Sequence, residues 1–192
     1  MKATVAGTPS AVMASPVLNT IDPGAPMIIS DIDHTIVTVH HIWFMLRRIE
    51  KVPPMADAAR VLALLARTHQ ILYLTARSFW QIPKTVQWLA AHDFPTGPLI
   101  YRDTPPLLIP AGRYKSLALR RLRNRFTNIR WGIGDRLADV AAYADNNITP
   151  ILIGNRSDAG RCAHVAQNWL DVERIITGSA GDPRIRDGST AP

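Results

Sequence analysis

Ser30-Asp31-Ile32-Asp33-His34-Thr35 sets two carboxylates at i and i+2 directly behind a short apolar run. If the strand continues, alternation turns both toward one side. Two like charges that close repel unless a cation or a shared proton compensates. A divalent metal provides that relief, and an oxygen-rich site with few protein ligands suits magnesium, which keeps several waters and bridges a carboxylate to a phosphate. The same residues also fit a strand end followed by an Asx turn, which requires no ligand.

A second acidic pair lies in Gly132-Ile133-Gly134-Asp135-Arg136-Leu137-Ala138-Asp139, again behind an apolar run and at the opening of a helix. Glycine permits close backbone approach, and Asp135 and Asp139 are one helical turn apart. Helix capping alone would account for Asp135, but not for two acidic pairs behind two separate core strands. Leu74-Thr75-Ala76-Arg77-Ser78 also follows an apolar run. A hydroxyl beside free N–H groups at a helix start can hold a phosphate oxygen or simply cap the helix. Lys115, behind Pro110-Ala-Gly-Arg113, is a point charge able to neutralise phosphate.

In this order, the four pieces resemble the boxes of the haloacid dehalogenase-like (HAD) phosphohydrolases: DIDHT at 31–35, LTARS at 74–78, Lys115, and GDRLAD at 134–139. The resemblance covers roughly residues 26–155. It implies that Asp31 is the nucleophile, forming an aspartyl phosphate, and that Asp33 is the general acid and base. It further implies that Thr75, Ala76 and Lys115 hold the phosphoryl oxygens. Magnesium would be bound by Asp31, the Asp33 backbone carbonyl and Asp135, with Asp139 a ligand through water or an orienting partner for Lys115. The middle of the chain is most similar to the lipin-type phosphatidate phosphatases, through Tyr73–Ser78, Trp88-Leu89, Phe94–Ile100, Lys115 and Gly134–Tyr143. It departs from them at His34, where glycine is more usual, and none of the extra domains of larger lipins is expected in it.

The elements that must position these residues alternate. Apolar runs of strand length occur at Met27–Ser30, Ile71–Leu74, Pro98–Tyr101, Ile129–Ile133 and Ile148–Ile153. Helical spacing is expected over Met55–Thr68, Ile82–His92, Tyr114–Phe126, Leu137–Ala144 and Ala159–Leu170, with Pro54 and Pro83 suited to first helical turns. Strand–helix alternation predicts an α/β fold: a Rossmann-like, doubly wound, mainly parallel sheet with ligands at the strands' carboxyl ends. Between Asp33 and Leu74 there is room for a flap, His40–Leu46, and one sheet-packing helix, so the cap is expected to be minimal or absent and the mouth open. His41, Trp43, Phe44 and Met45 are expected near its rim, or packed in the core. His34, His40 and His41 read as exposed loop residues.

Composition bounds the rest. At 192 residues and 47% hydrophobic content the chain fits one compact domain. No apolar run approaches the ~20 residues of a membrane-spanning helix. Cys162 is the one cysteine, which excludes an internal disulfide or a cysteine zinc site and suggests a reducing, cytoplasmic setting. We expect a flexible leader over 1–25, a catalytic domain over 26–177 and a disordered tail over 178–192. The formal charge of +7 is carried largely by arginine. Arg113, Lys115, Arg120, Arg121, Arg123, Arg125, Arg130 and Arg136 face only Asp135 across 24 positions, so this segment should be electropositive. No aromatic residues interleave with the arginines as a stacking platform would require, so no nucleic-acid partner is expected.

The function expected is therefore a magnesium-dependent phosphomonoester hydrolase with an open site. Its substrate would be a phosphorylated small molecule or a phospholipid such as phosphatidate, with at most peripheral membrane contact. The alternative is a non-catalytic module that grips a phosphate or lipid headgroup.

Overall fold

The computed structural model describes residue 18 and residues 21–102, 109–154 and 164–179. The predicted strands form as β1 (Met27–Ser30), β2 (Gln70–Ser78), β3 (Leu99–Arg102), β4 (Ile129–Gly134) and β5 (Thr149–Ile153). A further short strand, β6 (His164–Ala166), completes a six-stranded sheet in the order β3-β2-β1-β4-β5-β6. Every pairing is parallel. The chain winds outward from β1 in one direction and from β4 in the other, so the order reverses between these two central strands. Their carboxyl ends flank the crevice where such sheets bind ligands.

The helices are α1 (His41–Leu46), α2 (Ala58–Leu65), α3 (Ile82–Ala91), α4 (Ala111–Arg123), α5 (Leu137–Ala144) and α6 (Trp169–Ser179). They cover both faces of the sheet. All four residues of β1 are buried, as expected of a central parallel strand. Alternation divides them between two cores. Ile28 joins Val61, Leu62, Leu65, Trp88, Trp169 and Val172 of α2, α3 and α6. Met27 and Ile29 join Tyr114, Leu119, Leu122, Phe126 and Tyr143 on the other side.

Two expected helices are corrected. The segment 159–170 contains β6 and only the start of α6, because Ala166 is drawn into the ladder opposite Ile153. The helix can begin only after Asn168, whose side-chain oxygen accepts the Asp171 N–H at 3.1 Å. The helix expected from Met55 begins at Ala58, and Pro54 bridges Val37 instead of opening it. Pro83 does lie in the first turn of α3. Cys162 falls outside the described residues, as does most of the expected leader and tail. Within those two segments, Leu18 and Ile21 are buried in the second core, and α6 runs to Ser179.

The arginine-rich helix α4 buries Tyr114, Lys115, Ala118, Leu119 and Leu122. Arg120 is exposed. Arg123 and Arg125 instead fasten neighbouring backbone, donating to the carbonyls of Thr127 (3.2 Å) and Leu18 (2.9 Å). A guanidinium that satisfies a carbonyl while its stem covers apolar surface is only partly solvated.

Candidate active site

Asp31 is the first residue past β1, and its N–H donates to Ile133 O on β4 at 2.9 Å. This continuation of the ladder holds the Asp31 backbone against the strand that delivers Asp135. On β4 itself, a side chain at position 134 would place its Cβ 2.6 Å from Asp139 Cβ, and one at 132 would strike the Tyr143 ring at 2.3 Å. Both glycines are therefore required for α5 to lie against its own strand, which brings Asp139 back over Asp135. The Asp139 carboxylate also accepts the Arg136 N–H at 3.3 Å, fixing the helix start.

The three carboxylates converge. Asp31, Asp135 and Asp139 are buried and offer ligand oxygens lying within 4.8 Å of one another. Lys115, in the second turn of α4, inserts its ammonium between two of them, 2.7 Å from Asp31 Oδ1 and 2.7 Å from Asp139 Oδ1. Arg136, exposed to solvent, adds a second and looser cation 3.8 Å from Asp135 Oδ2, and two cations against three carboxylates leave the cluster net negative. Burial pushes the Asp31 carboxyl from 3.8 up to about 7; Lys115 pulls it back, while Asp139 and Asp33 add to the rise. Burial and the charge of Asp139 also raise Asp135. Burial alone would lower Lys115, but Asp31 and Asp139 outweigh it and hold the ammonium above the usual lysine value. Asp135 Oδ1 is buried and has no hydrogen-bond partner among the described residues. An orphaned oxygen in a net-negative, all-carboxylate donor set fits a hard dication.

These shifts give a signed pH dependence. Without metal, Asp31 keeps its proton to about pH 7 in the fold, against 3.8 for the ordinary group. Between those values the native state binds the extra proton, so this group's contribution to stability falls as pH rises and is gone by about pH 7. The slope is about tenfold in the folding equilibrium per pH unit. Compared with Asp31→Asn in chelator, wild-type stability should decline from about pH 4 to about pH 7 and run parallel above it. A difference that does not vary with pH would refute the electrostatic account.

Asp33 is arranged differently. It is half-buried, and its carboxylate turns to Arg77, which is 2% exposed. The guanidinium donates from Nη2 to Asp33 Oδ1 at 2.8 Å and from Nε to Oδ2 at 3.1 Å, while Nη1 donates to the Thr85 hydroxyl at 2.8 Å. The Phe44 ring of α1 covers the guanidinium at 3.9 Å. The Asp33 carboxylate is therefore oriented by an arginine and stands outside the acidic triad. The β2–β3 register slips between Leu74 and Ser78, and such an irregularity re-aims side chains at a strand end.

A cavity of about 320 Å³ opens above these groups, lined among others by Asp31, Asp33, Ala76, Lys115, Asp135 and Asp139. Of the residues predicted to hold phosphate, Ala76 and Lys115 reach this cavity. Thr75 is fully buried, is not part of its lining, and accepts the Arg77 N–H at 3.2 Å. His41, expected near the rim, also lines it, as do His40, Arg77 and Arg136, whose sequence positions drew no functional role. The two histidine rings lie 3.9 Å apart, and burial together with His40 lowers the pKa of His41. Expected as exposed loop residues, His34, His40 and His41 are half-buried instead. His34 has φ +58°, a left-handed conformation that glycine adopts without steric cost. The departure from glycine at this position therefore carries a backbone penalty.

Residues 28–153 match the family model of the PITM 1-3 LNS2 domain. The chain belongs to the LNS2 domain family. There is no match among curated proteins. The LNS2 chain is similar in fold to a haloacid dehalogenase-like family hydrolase from Streptococcus pneumoniae, at 14% identity and TM-score 0.58, covering 79% of this chain and 98% of that one. A HAD-superfamily hydrolase from Ehrlichia chaffeensis is 12% identical with TM-score 0.57, covering 82% and 99%. A chain of the Pnkp1/Rnl/Hen1 RNA repair complex is 17% identical with TM-score 0.58, covering 70% of this chain and 43% of that chain, so the LNS2 chain spans less than half its length. The LNS2 chain thus shares the fold of HAD-like hydrolases, the fold its motifs implied.

Proposed function

We propose that this LNS2 chain is a magnesium-dependent phosphomonoester hydrolase that works through an aspartyl-phosphate intermediate. The observation that carries the reading is the convergence of Asp31, Lys115, Asp135 and Asp139 on one cavity that Asp33 also lines.

Asp31, Asp135 and Asp139 are the side chains that would hold the cation, with Asp139 directly or through water, and the Asp33 backbone carbonyl completing the protein's share. When bound, magnesium supplies charge neutralisation for the phosphoryl oxygens and favours ionised Asp31. The chain's own groups do the rest. The Asp31 carboxylate oxygen attacks phosphorus, forming the acyl-phosphate bond as the ester P–O bond breaks. Asp33, entering the reaction protonated and freed of one arm of the Arg77 fork, gives its proton to the departing alkoxide; as a carboxylate again, it takes one from the water that attacks the acyl phosphate and frees inorganic phosphate. Arg77 is a positioning residue, holding the Asp33 carboxylate by a fork of hydrogen bonds while packed under Phe44. Lys115 neutralises a phosphoryl oxygen, and Ala76 lies at the cavity wall.

Among the described residues only α1, a 3₁₀ turn at Ile49–Lys51 and α2 intervene between Asp33 and β2. An uncapped site suits an ester whose own bulk shields the reaction, such as a phospholipid headgroup. The purified chain with magnesium should release phosphate from an aryl phosphate and from phosphatidate, and chelation should remove at least about nine-tenths of that release. Phosphate binding without magnesium-dependent turnover would favour a headgroup-binding module instead.

A further inference from the structure

Two arginines are buried among the described residues, Arg77 at 2% exposure and Arg102 at 3%. The fold treats them differently. Arg77 donates from all three of its nitrogens, to Asp33 and Thr85. Arg102, the last residue of β3, has Nε and Nη2 sealed from solvent without a hydrogen-bond partner among the described residues. Its recorded contact is aromatic, the guanidinium carbon lying 5.2 Å from the centre of the Tyr114 ring. A cation over an aromatic face recovers part of the lost hydration. Burying a charge without hydrogen bonds or a counter-charge remains costly, and such unsatisfied donors point to an ion or ligand that completes them.

The position of Arg102 says what could reach it. Alternation puts Arg102 on the same face of β3 as Ile100, which is buried in the second core with Tyr114. Tyr114 is the fourth residue of α4, and a helical side chain leans back toward the N-terminus of its helix. The ring therefore carries the Arg102 guanidinium to the first turn of α4. That turn is bare. Its N-cap is Pro110, with no capping hydrogen bond, the turn holds no acidic residue, and the N–H groups of Ala111, Gly112 and Arg113 have no partner among the described residues. The free amides and the helix dipole favour negative charge there, and the exposed Arg113 adds to it. Ala111 and Gly112 also line the catalytic cavity, as does Ala76, which packs against the same core as Ile100 and Tyr114. The bare helix start thus joins the buried guanidinium to the cavity wall.

We propose that Arg102 and the first turn of α4 form an oxyanion subsite beside the catalytic cavity, built for a sulfate-, phosphate- or carboxylate-like group. That chemistry is supplied either by a second acidic group on the substrate or by a free inorganic anion. Anion binding stands without the hydrolase reading; a role in substrate choice rests on it. An anion there would give Nε and Nη2 their acceptor while the α4 amides share its charge.

The test is equilibrium dialysis of the full chain against radiolabelled sulfate, in chelator and at low ionic strength. Under these conditions the acidic triad repels anions and Lys115 is engaged by Asp31 and Asp139, so the bound sulfate reports the subsite. Wild type should bind about one sulfate per chain, and Arg102→Met should bind it at least about tenfold more weakly. Ala111→Pro puts proline where a first helical turn accepts it and deletes one amide donor; it should weaken binding about threefold, and it decides the matter if Arg102→Met does not fold. Absence of sulfate binding by wild type, or wild-type affinity in a folded Arg102→Met or in Ala111→Pro, overturns the proposal. The source of the anion is read with magnesium present, from kcat/KM for an aryl phosphate and for the same ester bearing a carboxylate. A loss in Arg102→Met that is at least about tenfold greater for the carboxylated ester assigns the subsite to the substrate. Equal losses on the two esters, with sulfate binding gone, assign it to a free anion. Sulfate binding by a chain that releases no phosphate supports the subsite and overturns only the hydrolase reading.

Discussion

Asp31→Asn is expected to lower magnesium-dependent phosphate release by at least about a thousandfold, because the amide cannot form the acyl phosphate that divides the displacement into two steps. The substitution keeps size and shape, and it removes a carboxyl that burial already holds near half-protonation at about pH 7. The fold should survive, as read by circular dichroism and by a melt that stays cooperative. Single-turnover measurements with an aryl phosphate give the rate. Turnover within tenfold of wild type in a folded variant would show that another group attacks phosphorus.

Lys115→Met is expected to cost both activity and stability, and the second effect is the more diagnostic. The ammonium lies between Asp31 and Asp139, 2.7 Å from each, and is buried. Methionine fills similar space but leaves the carboxylates without their internal cation. Removing one partner of a buried ionic cluster costs about 3–5 kcal/mol. In chelator, urea denaturation should reveal a loss that is smallest at and below about pH 7, where Asp31 is protonated in both proteins, and that grows toward this order above it, because Lys115→Met removes the cation that holds the Asp31 carboxyl down. Millimolar magnesium should restore part of the loss without restoring turnover. A variant as stable as wild type in chelator at high pH would show that the cluster is not net negative.

How much of this was legible in the sequence depends on where each partner lies along the chain. Asp31 and Asp135 each follow an apolar strand directly, so strand order alone carries both to the carboxyl edge, and the parallel sheet follows from the alternation of elements. Lys115 and Asp139 follow from the motif order. Arg77 could not be read in the same way. Its partner Asp33 is 44 positions distant, and an arginine at a strand end looks like any solvated cation until the fold covers it with Phe44. A hint existed in its neighbours, because an arginine between buried β2 and an aromatic turn has no solvent side to retreat to. The strand β6 has three residues, two of them not buried, and offers no period to detect. Helix α6 was more accessible. Trp169, Val172 and Ile176 are buried at i, i+3 and i+7 behind an Asn cap, a helical signature displaced ten residues from where Ala159 suggested it. The histidines illustrate the reverse case: their types were plain, but only the turn of α1 decides that His40 and His41 face the cavity.

The division of the acidic cluster between β1 and the β4–α5 junction also bears on how the molecule is built in time. A chain with only its first half paired holds Asp31 far from Asp135 and Asp139, so no repulsion accumulates and no chelate forms. Both arise together when β4 docks beside β1 and α5 swings down over Gly134. A dication held there as proposed would accordingly bind the finished molecule, and its stabilisation would be read as slower unfolding with the rate of folding little changed.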